Sequence, residues 1–293
     1  MFKGSCVALV TPMHEDGRID FSALEALVNW HIQEGTAAIV ACGTTGESVT
    51  LSHDEQQKVI QKTLEVAKGR IPVIAGTGTN ATQKVIELCR EAKSLGVSGC
   101  LIVTPYYNKP TQEGLYRHYA AIAEAVDIPI ILYNVPGRTA VDLLPDTVVK
   151  LSKIENIVGI KEATGDIDRL RELRERCRKD FLFYSGDDAT SLEFMLEGGH
   201  GVISVTSNVV PGIMQKMCEA AIAGQAAKAK SMNETLALVH KRLMIESNPI
   251  PVKWALNAMG RIAKGIRLPL TPLSEIHIPS VREALIQAGV LNA

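Results

Sequence analysis

Eight short apolar runs, each followed by a helical pattern, constrain the fold of this chain more than any other feature. The runs do not alternate with polar residues, which indicates strands of a parallel sheet that is covered on both faces. Strands that alternate with helices predict the α/β class, and eight such units predict a (β/α)8 TIM barrel. The predicted strands are Cys6–Val10, Ala37–Ala41, Ile71–Ala75, Gly99–Val103, Ile128–Leu132, Ile157–Ile160, Phe181–Tyr184 and Val202–Val205.

A doubly wound open sheet is the alternative fold, but no GxGxxG motif follows the first predicted strand. From Pro211 onward the pattern is helical only, interrupted by Gly224, Asn248-Pro249 and Pro269–Pro279. We therefore expect a barrel over residues 1–223. A C-terminal helical extension over residues 224–293 should pack directly on it.

Composition excludes several classes of function. The net charge is −1 and the basic residues are scattered, so no nucleic-acid partner is expected. No apolar stretch reaches membrane-spanning length and no signal-peptide pattern opens the chain, so we expect a cytoplasmic protein with no membrane partner. The six cysteines form no CxxC pair and the seven histidines no HxxxH pair, so buried free thiols and no metal site are expected.

Lys161 stands at the carboxyl end of the sixth predicted strand, where lysine is unusual. A TIM barrel carries its catalytic side chains at this end of its strands. A desolvated lysine amine attacks carbonyl carbons and forms Schiff bases. An ordinary surface lysine at a strand end is the alternative interpretation of this position.

Other strand ends add polar groups to the same face. Gly43–Gly46 is either an anion-binding nest of backbone N–H groups or an ordinary glycine-rich turn. Tyr106-Tyr107 and Tyr133 supply phenols, or only pack at the edge of the core. Arg138 can bind a carboxylate through its guanidinium fork, or be solvated. Together these groups suit Schiff-base chemistry on a keto acid.

Three motifs in order resemble the signatures of the dihydrodipicolinate synthases: Gly43–Glu47, Tyr133–Thr139 and Gly159–Glu162. The similarity extends from Gly4 to Leu268-Pro269. The wider superfamily, which includes N-acetylneuraminate lyase and related pyruvate aldolases, shares the lysine and the glycine-threonine loop. Arg138, after the Tyr-Asn-x-Pro segment, favours the synthases.

The resemblance implies condensation of pyruvate with L-aspartate 4-semialdehyde to 4-hydroxy-tetrahydrodipicolinate, the first committed step toward diaminopimelate and lysine. Lys161 would form the imine with pyruvate, so no metal or organic cofactor is expected. A pyruvate-dependent lyase of sugar acids is an alternative. A catalytically silent barrel that binds or regulates is a further one.

Roles for particular residues also follow from the resemblance. Thr44, Tyr107 and Tyr133 would relay protons, with Tyr107 serving the neighbouring subunit's site in a homotetramer built as a dimer of dimers. Thr45, together with Thr44, would bind the pyruvate carboxylate, and Arg138 the carboxylate of the semialdehyde. Backbone contacts in the pocket would come from Gly186 and Ile203.

The same resemblance implies a site for feedback inhibition by L-lysine, with matching residues at Ser48, His53, Asn80 and Tyr106. Two positions depart from the lysine-sensitive pattern: Gln56 replaces a histidine and Lys84 replaces a glutamate. A cationic ligand would lose an acidic partner at Lys84 and meet a like charge. We therefore predict weak or absent inhibition by L-lysine.

Overall fold

Eight parallel strands close into a barrel in chain order, with the last strand paired to the first. The computed structural model describes residues 2–292. The architecture confirms the predicted (β/α)8 barrel and excludes the open sheet. The strands are β1 Gly4–Ala8, β2 Ala38–Ala41, β3 Val73–Gly76, β4 Gly99–Val103, β5 Ile130–Asn134, β6 Ile157–Glu162, β7 Leu182–Ser185 and β8 Gly201–Ser204.

Helices follow the strands and then continue alone beyond residue 210. Local signals start several of them: Asp20 accepts from the N–H of Ala23, and Ser52 with Glu55 forms a capping box. The α-helices of the described residues are α1 Phe21–Gln33, α2 His53–Ala67, α3 Thr82–Leu95, α4 Gln112–Ala125, α5 Pro136–Thr139, α6 Pro145–Leu151, α7 Ile167–Arg176, α8 Ser191–Leu196, α9 Pro211–Ile222, α10 Ala226–Arg242, α11 Ile250–Ala258 and α12 Ile278–Gln287.

The predicted boundaries were wrong in four informative places. β1 begins at Gly4 because Gly4 pairs with Gly201 of β8. β6 continues to Glu162 because its last residues pair with both neighbouring strands. The loop after β5 contains the single helical turn α5, which begins with a proline at its first position. For the same reason α9 begins at Pro211, whereas the apolar pattern predicts a start at Met214.

Two apolar layers hold the barrel together, because successive side chains of a strand point to opposite sides. Ile131 and Tyr133 of β5 belong to a small cluster inside the barrel. Ile130 and Leu132 belong to the large layer between the barrel and its helices. An apolar run without alternation is what two buried faces require.

The helices of the C-terminal region cover one side of the barrel. Helix α10 packs against α9 and α8, and α12 packs against α10 and α11. Among residues 2–292, none of the helices has both the length and the apolar character needed to cross a bilayer.

Candidate active site

A bulge in β6 determines which way Lys161 points. Ile130 of β5 pairs with Ile157, but Ile131 pairs with Gly159, so Val158 is an extra residue in β6. The bulge breaks the regular alternation of sides for the residues that follow it. Lys161 consequently faces the barrel interior, whereas Glu162 faces the helical layer.

Lys161 is buried, with 6% of its surface exposed. Its Nζ atom lies 4.2 Å from the centroid of the Tyr133 ring, and the two residues are paired across β5 and β6. Within residues 2–292, no carboxylate forms an ion pair with Lys161. A buried amine without a carboxylate partner is placed to attack a carbonyl carbon.

Gly186 leaves the space that the stem of Lys161 fills. A Cβ atom added at Gly186 would lie 3.0 Å from Cε of Lys161 and 2.6 Å from Cβ of Ala163. Any side chain at this position would therefore displace the lysine. The structure places the predicted Gly186 beside the nucleophile and not in the wall of the cleft.

The loop after β2 supplies the wall opposite Lys161. Gly46 donates its N–H to the carbonyl of Gly43, and Glu47 donates to that of Thr44, which folds the loop into two consecutive turns. Glu47 adopts the left-handed conformation, with φ of 56°. The loop passes so close to β3 that a Cβ on Gly76 would lie 2.2 Å from the Cys42 carbonyl oxygen.

Two adjoining clefts bring most of the predicted site residues together. Thr44, Thr45, Tyr133 and Lys161 line the narrower one, whose volume is about 40 Å³. The wider cleft, of about 240 Å³, is lined by Arg138 and shares Thr44 with the first. The arrangement offers an inner position for a small keto acid and an outer position for a second carboxylate.

Besides Gly186, two predicted residues do not line these clefts. Tyr107 is 89% exposed, has a φ of 75° and lines neither cleft. Ile203 is buried in the interior cluster of the barrel. A role for Tyr107 in its own subunit's cleft is therefore not supported by this geometry.

A buried polar network lies directly behind Lys161, on the outer side of the same strands. Glu162 accepts hydrogen bonds from Asn134 Nδ2 at 3.1 Å and from the N–H of Thr164 at 2.9 Å. Arg169 of α7 lies 3.6 Å from Glu162 and forms an ion pair with Asp142 at 2.6 Å. Burial raises the pKa of the Glu162 carboxyl, and Arg169 opposes this effect. The network fixes β5 and β6 in the register that sets Tyr133 opposite Lys161.

Contacts from the C-terminal region were missing from the predicted site. Asn248 donates from Nδ2 to Thr45 Oγ1 at 2.9 Å, and its carbonyl accepts from Arg138 Nη2 at 3.2 Å. Lys253 forms a buried ion pair with Glu47. One sequence signal was present, because Lys253 interrupts the otherwise apolar run Ile250–Leu256.

A separate cavity of about 260 Å³ contains most of the predicted effector residues, and its lining includes Ser48, His53, Gln56, Lys84 and Tyr106. Asn80, also predicted, donates to the carbonyl of Tyr106 at 3.2 Å. His53 lies 3.2 Å from Glu91, and Lys84 lies 3.4 Å from Glu87. Ser48 also lines the two clefts near Lys161, so the cavity adjoins the candidate active site.

The chain is similar in sequence to known proteins over nearly its whole length. The family model of the dihydrodipicolinate synthetase family matches residues 1–288. The chain belongs to that family. A 4-hydroxy-tetrahydrodipicolinate synthase from Alcanivorax borkumensis is 62% identical over 292 residues, which cover 100% of this chain and 99% of that protein.

Solved structures of the family superpose closely on this fold. The chloride-inhibited dihydrodipicolinate synthase of Acinetobacter baumannii, complexed with pyruvate, is 56% identical, with a TM-score of 0.98 and coverage of 99% of this chain and 100% of that one. The enzyme of Cyanidioschyzon merolae with lysine bound is 38% identical, with a TM-score of 0.96 and coverage of 99% of both chains.

Proposed function

We propose that this chain condenses pyruvate with L-aspartate 4-semialdehyde to form 4-hydroxy-tetrahydrodipicolinate and water. The observation that carries the proposal is Lys161, a buried amine without a carboxylate partner, which faces Tyr133 and two threonines in one cleft. Family membership and the synthase name of the 62% identical relative support the same reaction.

The first half of the reaction activates pyruvate. The Lys161 amine attacks the ketone carbon, and Tyr133 protonates the oxygen as it leaves as water, which gives a positively charged imine. That nitrogen attracts electrons, so a methyl proton departs and an enamine forms. Thr44 and Tyr107 complete the route by which protons leave.

The second half forms the carbon–carbon bond. The enamine carbon attacks the aldehyde, and the amino group of the second substrate then displaces Lys161 as the ring closes. Thr44 and Thr45 hold the pyruvate carboxylate, and Gly186 leaves room for the stem of Lys161. Arg138, which lines the wider cleft, binds the carboxylate of the semialdehyde.

A homotetramer, built as a dimer of dimers, is the assembly that we propose. Tyr107 is 89% exposed, and Val49, which lines the wider cleft of the same chain, is 79% exposed. Large exposed side chains of this kind support a contact between subunits. Tyr107 would then reach the site of a neighbouring subunit and serve as its proton carrier.

Replacement of Tyr107 tests that shared relay. We expect Tyr107→Phe to lower kcat about 100-fold, the typical contribution of one proton-transfer group, while the tetramer remains intact. Turnover and sedimentation are measured together. Turnover close to that of the parent enzyme would contradict the relay.

Borohydride reduction in the presence of pyruvate tests the function itself. We expect a covalent adduct on Lys161 in the parent chain and none in Lys161→Met. Turnover with pyruvate plus the semialdehyde, compared with cleavage of sugar acids, separates the synthase from a sugar-acid lyase. Absence of an adduct in the parent chain would favour a silent barrel.

The division of the chain at residue 224 and a cytoplasmic location remain predictions. The turn between α9 and α10 contains Gly224, with φ of 74°, which supports the proposed boundary between residues 1–223 and 224–293.

A further inference from the structure

We propose that Asn248 and Lys253, from the C-terminal extension, are positioning residues that hold both carboxylate-binding elements of the active site. The inference rests on the proposed function and assigns part of the substrate affinity to a segment outside the barrel. Its basis is that the extension reaches the two elements through buried and partly buried polar contacts between residues more than a hundred positions apart in sequence.

Asn248 contacts Thr45, the proposed ligand of the pyruvate carboxylate, and Arg138, the proposed ligand of the semialdehyde carboxylate. Its side-chain N–H donates to Thr45 Oγ1 at 2.9 Å, across 203 positions of sequence. Because the Thr45 oxygen accepts this bond, the hydroxyl proton of Thr45 is left to donate to a substrate carboxylate. The backbone carbonyl of Asn248 accepts from Arg138 Nη2 at 3.2 Å, which orients the guanidinium.

Lys253 binds the loop after β2 at Glu47, two residues beyond Thr45. Glu47 is 1% exposed and Lys253 is 5% exposed, and they form an ion pair. The N–H of Arg267, also from the extension, donates to the second carboxylate oxygen of Glu47 at 3.2 Å. Glu47 therefore has a cation and an N–H donor to replace its lost hydration, both supplied by the extension.

The placement of these contacts distinguishes a role in substrate binding from one in general stability. Only Gly46 separates Glu47 from Thr45 in the sequence, and Glu47 adopts the left-handed backbone conformation. A shift of the Glu47 carboxylate would rotate the turns that aim Thr45 into the cleft. The anion site is thus complete only when the extension is docked.

The experiment compares Asn248→Ala, Asn248→Asp and Lys253→Met in the full-length enzyme. We expect Asn248→Ala to raise the KM for pyruvate about tenfold, the equivalent of one hydrogen bond, while borohydride still traps the imine at saturating pyruvate. Asn248→Asp preserves the shape but accepts the Thr45 proton and repels the substrate carboxylate, so its KM should rise further. Lys253→Met should also raise the KM, and the double variant E47Q/K253M should recover part of the loss.

Arg178→Met is the matched control, because Arg178 donates to the carbonyl groups of Ile154 and Ile157 at the opposite end of β6. This variant should lower the melting temperature and leave the KM for pyruvate unchanged. If the Asn248 and Lys253 variants behave like the control, with KM values within twofold of the parent, the positioning role is refuted. If the parent enzyme itself forms no imine at any pyruvate concentration, the proposed function fails instead.

Discussion

Two buried lysines, Lys161 and Lys253, have nearly the same exposure but opposite surroundings. Lys253 is 5% exposed and forms an ion pair with Glu47. Lys161 is 6% exposed and has no carboxylate partner within the described part of the chain. Glu162, its nearest carboxylate in sequence, faces the helical layer and contacts Arg169 there. The comparison indicates that burial alone does not suit a lysine for catalysis. The absence of a carboxylate partner is what distinguishes Lys161 from Lys253.

The largest effect that this comparison predicts is on catalysis. Lys161→Met should lower kcat more than about a thousandfold, because no other amine can form the imine. Stability should be unchanged or higher, since methionine fills a similar volume and removes a largely buried amine that has no carboxylate partner. Turnover and urea unfolding measure the two quantities. A marked loss of stability would show that Lys161 also has a structural partner.

For Lys253→Met we expect the larger effect on stability and not on kcat. Removing one member of a buried ion pair leaves Glu47 charged and without its cation, which destabilises by about 3–5 kcal/mol. Burial already lowers the pKa of Lys253, and Glu47 opposes this effect. Urea unfolding measures the change, with E47Q/K253M as the control that removes both charges. Equal stability of single and double variants would contradict the pairing.

A smaller effect is expected on the pH dependence of stability, through Glu162, whose carboxylate faces away from Lys161. Because burial raises the folded-state pKa of Glu162, its contribution to stability is fully present below its unfolded pKa of about 4.3 and declines as pH rises through the higher folded value. The parent chain should therefore lose stability relative to Glu162→Gln as pH rises from about 4 to neutrality. Unfolding free energies measured across this range check the sign. Parallel pH profiles would contradict it.

The smallest effect is expected at a third lysine, Lys84, which is about half exposed and lines the side cavity. Sub-millimolar L-lysine should leave turnover unchanged, because Lys84 repels a cationic ligand. The double variant K84E/Q56H should gain inhibition by L-lysine. Initial rates with and without L-lysine measure both. Inhibition of the parent enzyme would show that Lys84 turns away from the ligand.

Much of the fold was predictable because it depends on residues that are close together in the sequence. Apolar runs, capping residues and the prolines between them determine the eight strands and most helix starts, and the strand ends determine where polar groups gather. The Asn248 and Lys253 contacts were not predictable, because partners about 200 residues apart leave no periodic signal. The exposure of Tyr107 was equally hidden, since it depends on a left-handed backbone in a loop.

The extra residue Val158 means that the orientation of the nucleophile is recorded as a count of residues as well as an identity. If the strand alternated regularly from Ile157, the extra residue would turn Lys161 toward Arg169 in the helical layer and bring the Glu162 carboxylate into the barrel. The bulge absorbs the extra residue and cancels that reversal. A relative that lacks one residue here would need no bulge to keep its lysine facing the barrel interior, whereas a relative of equal length that lost the bulge would retain the Lys-Glu dipeptide and lose the chemistry it signals.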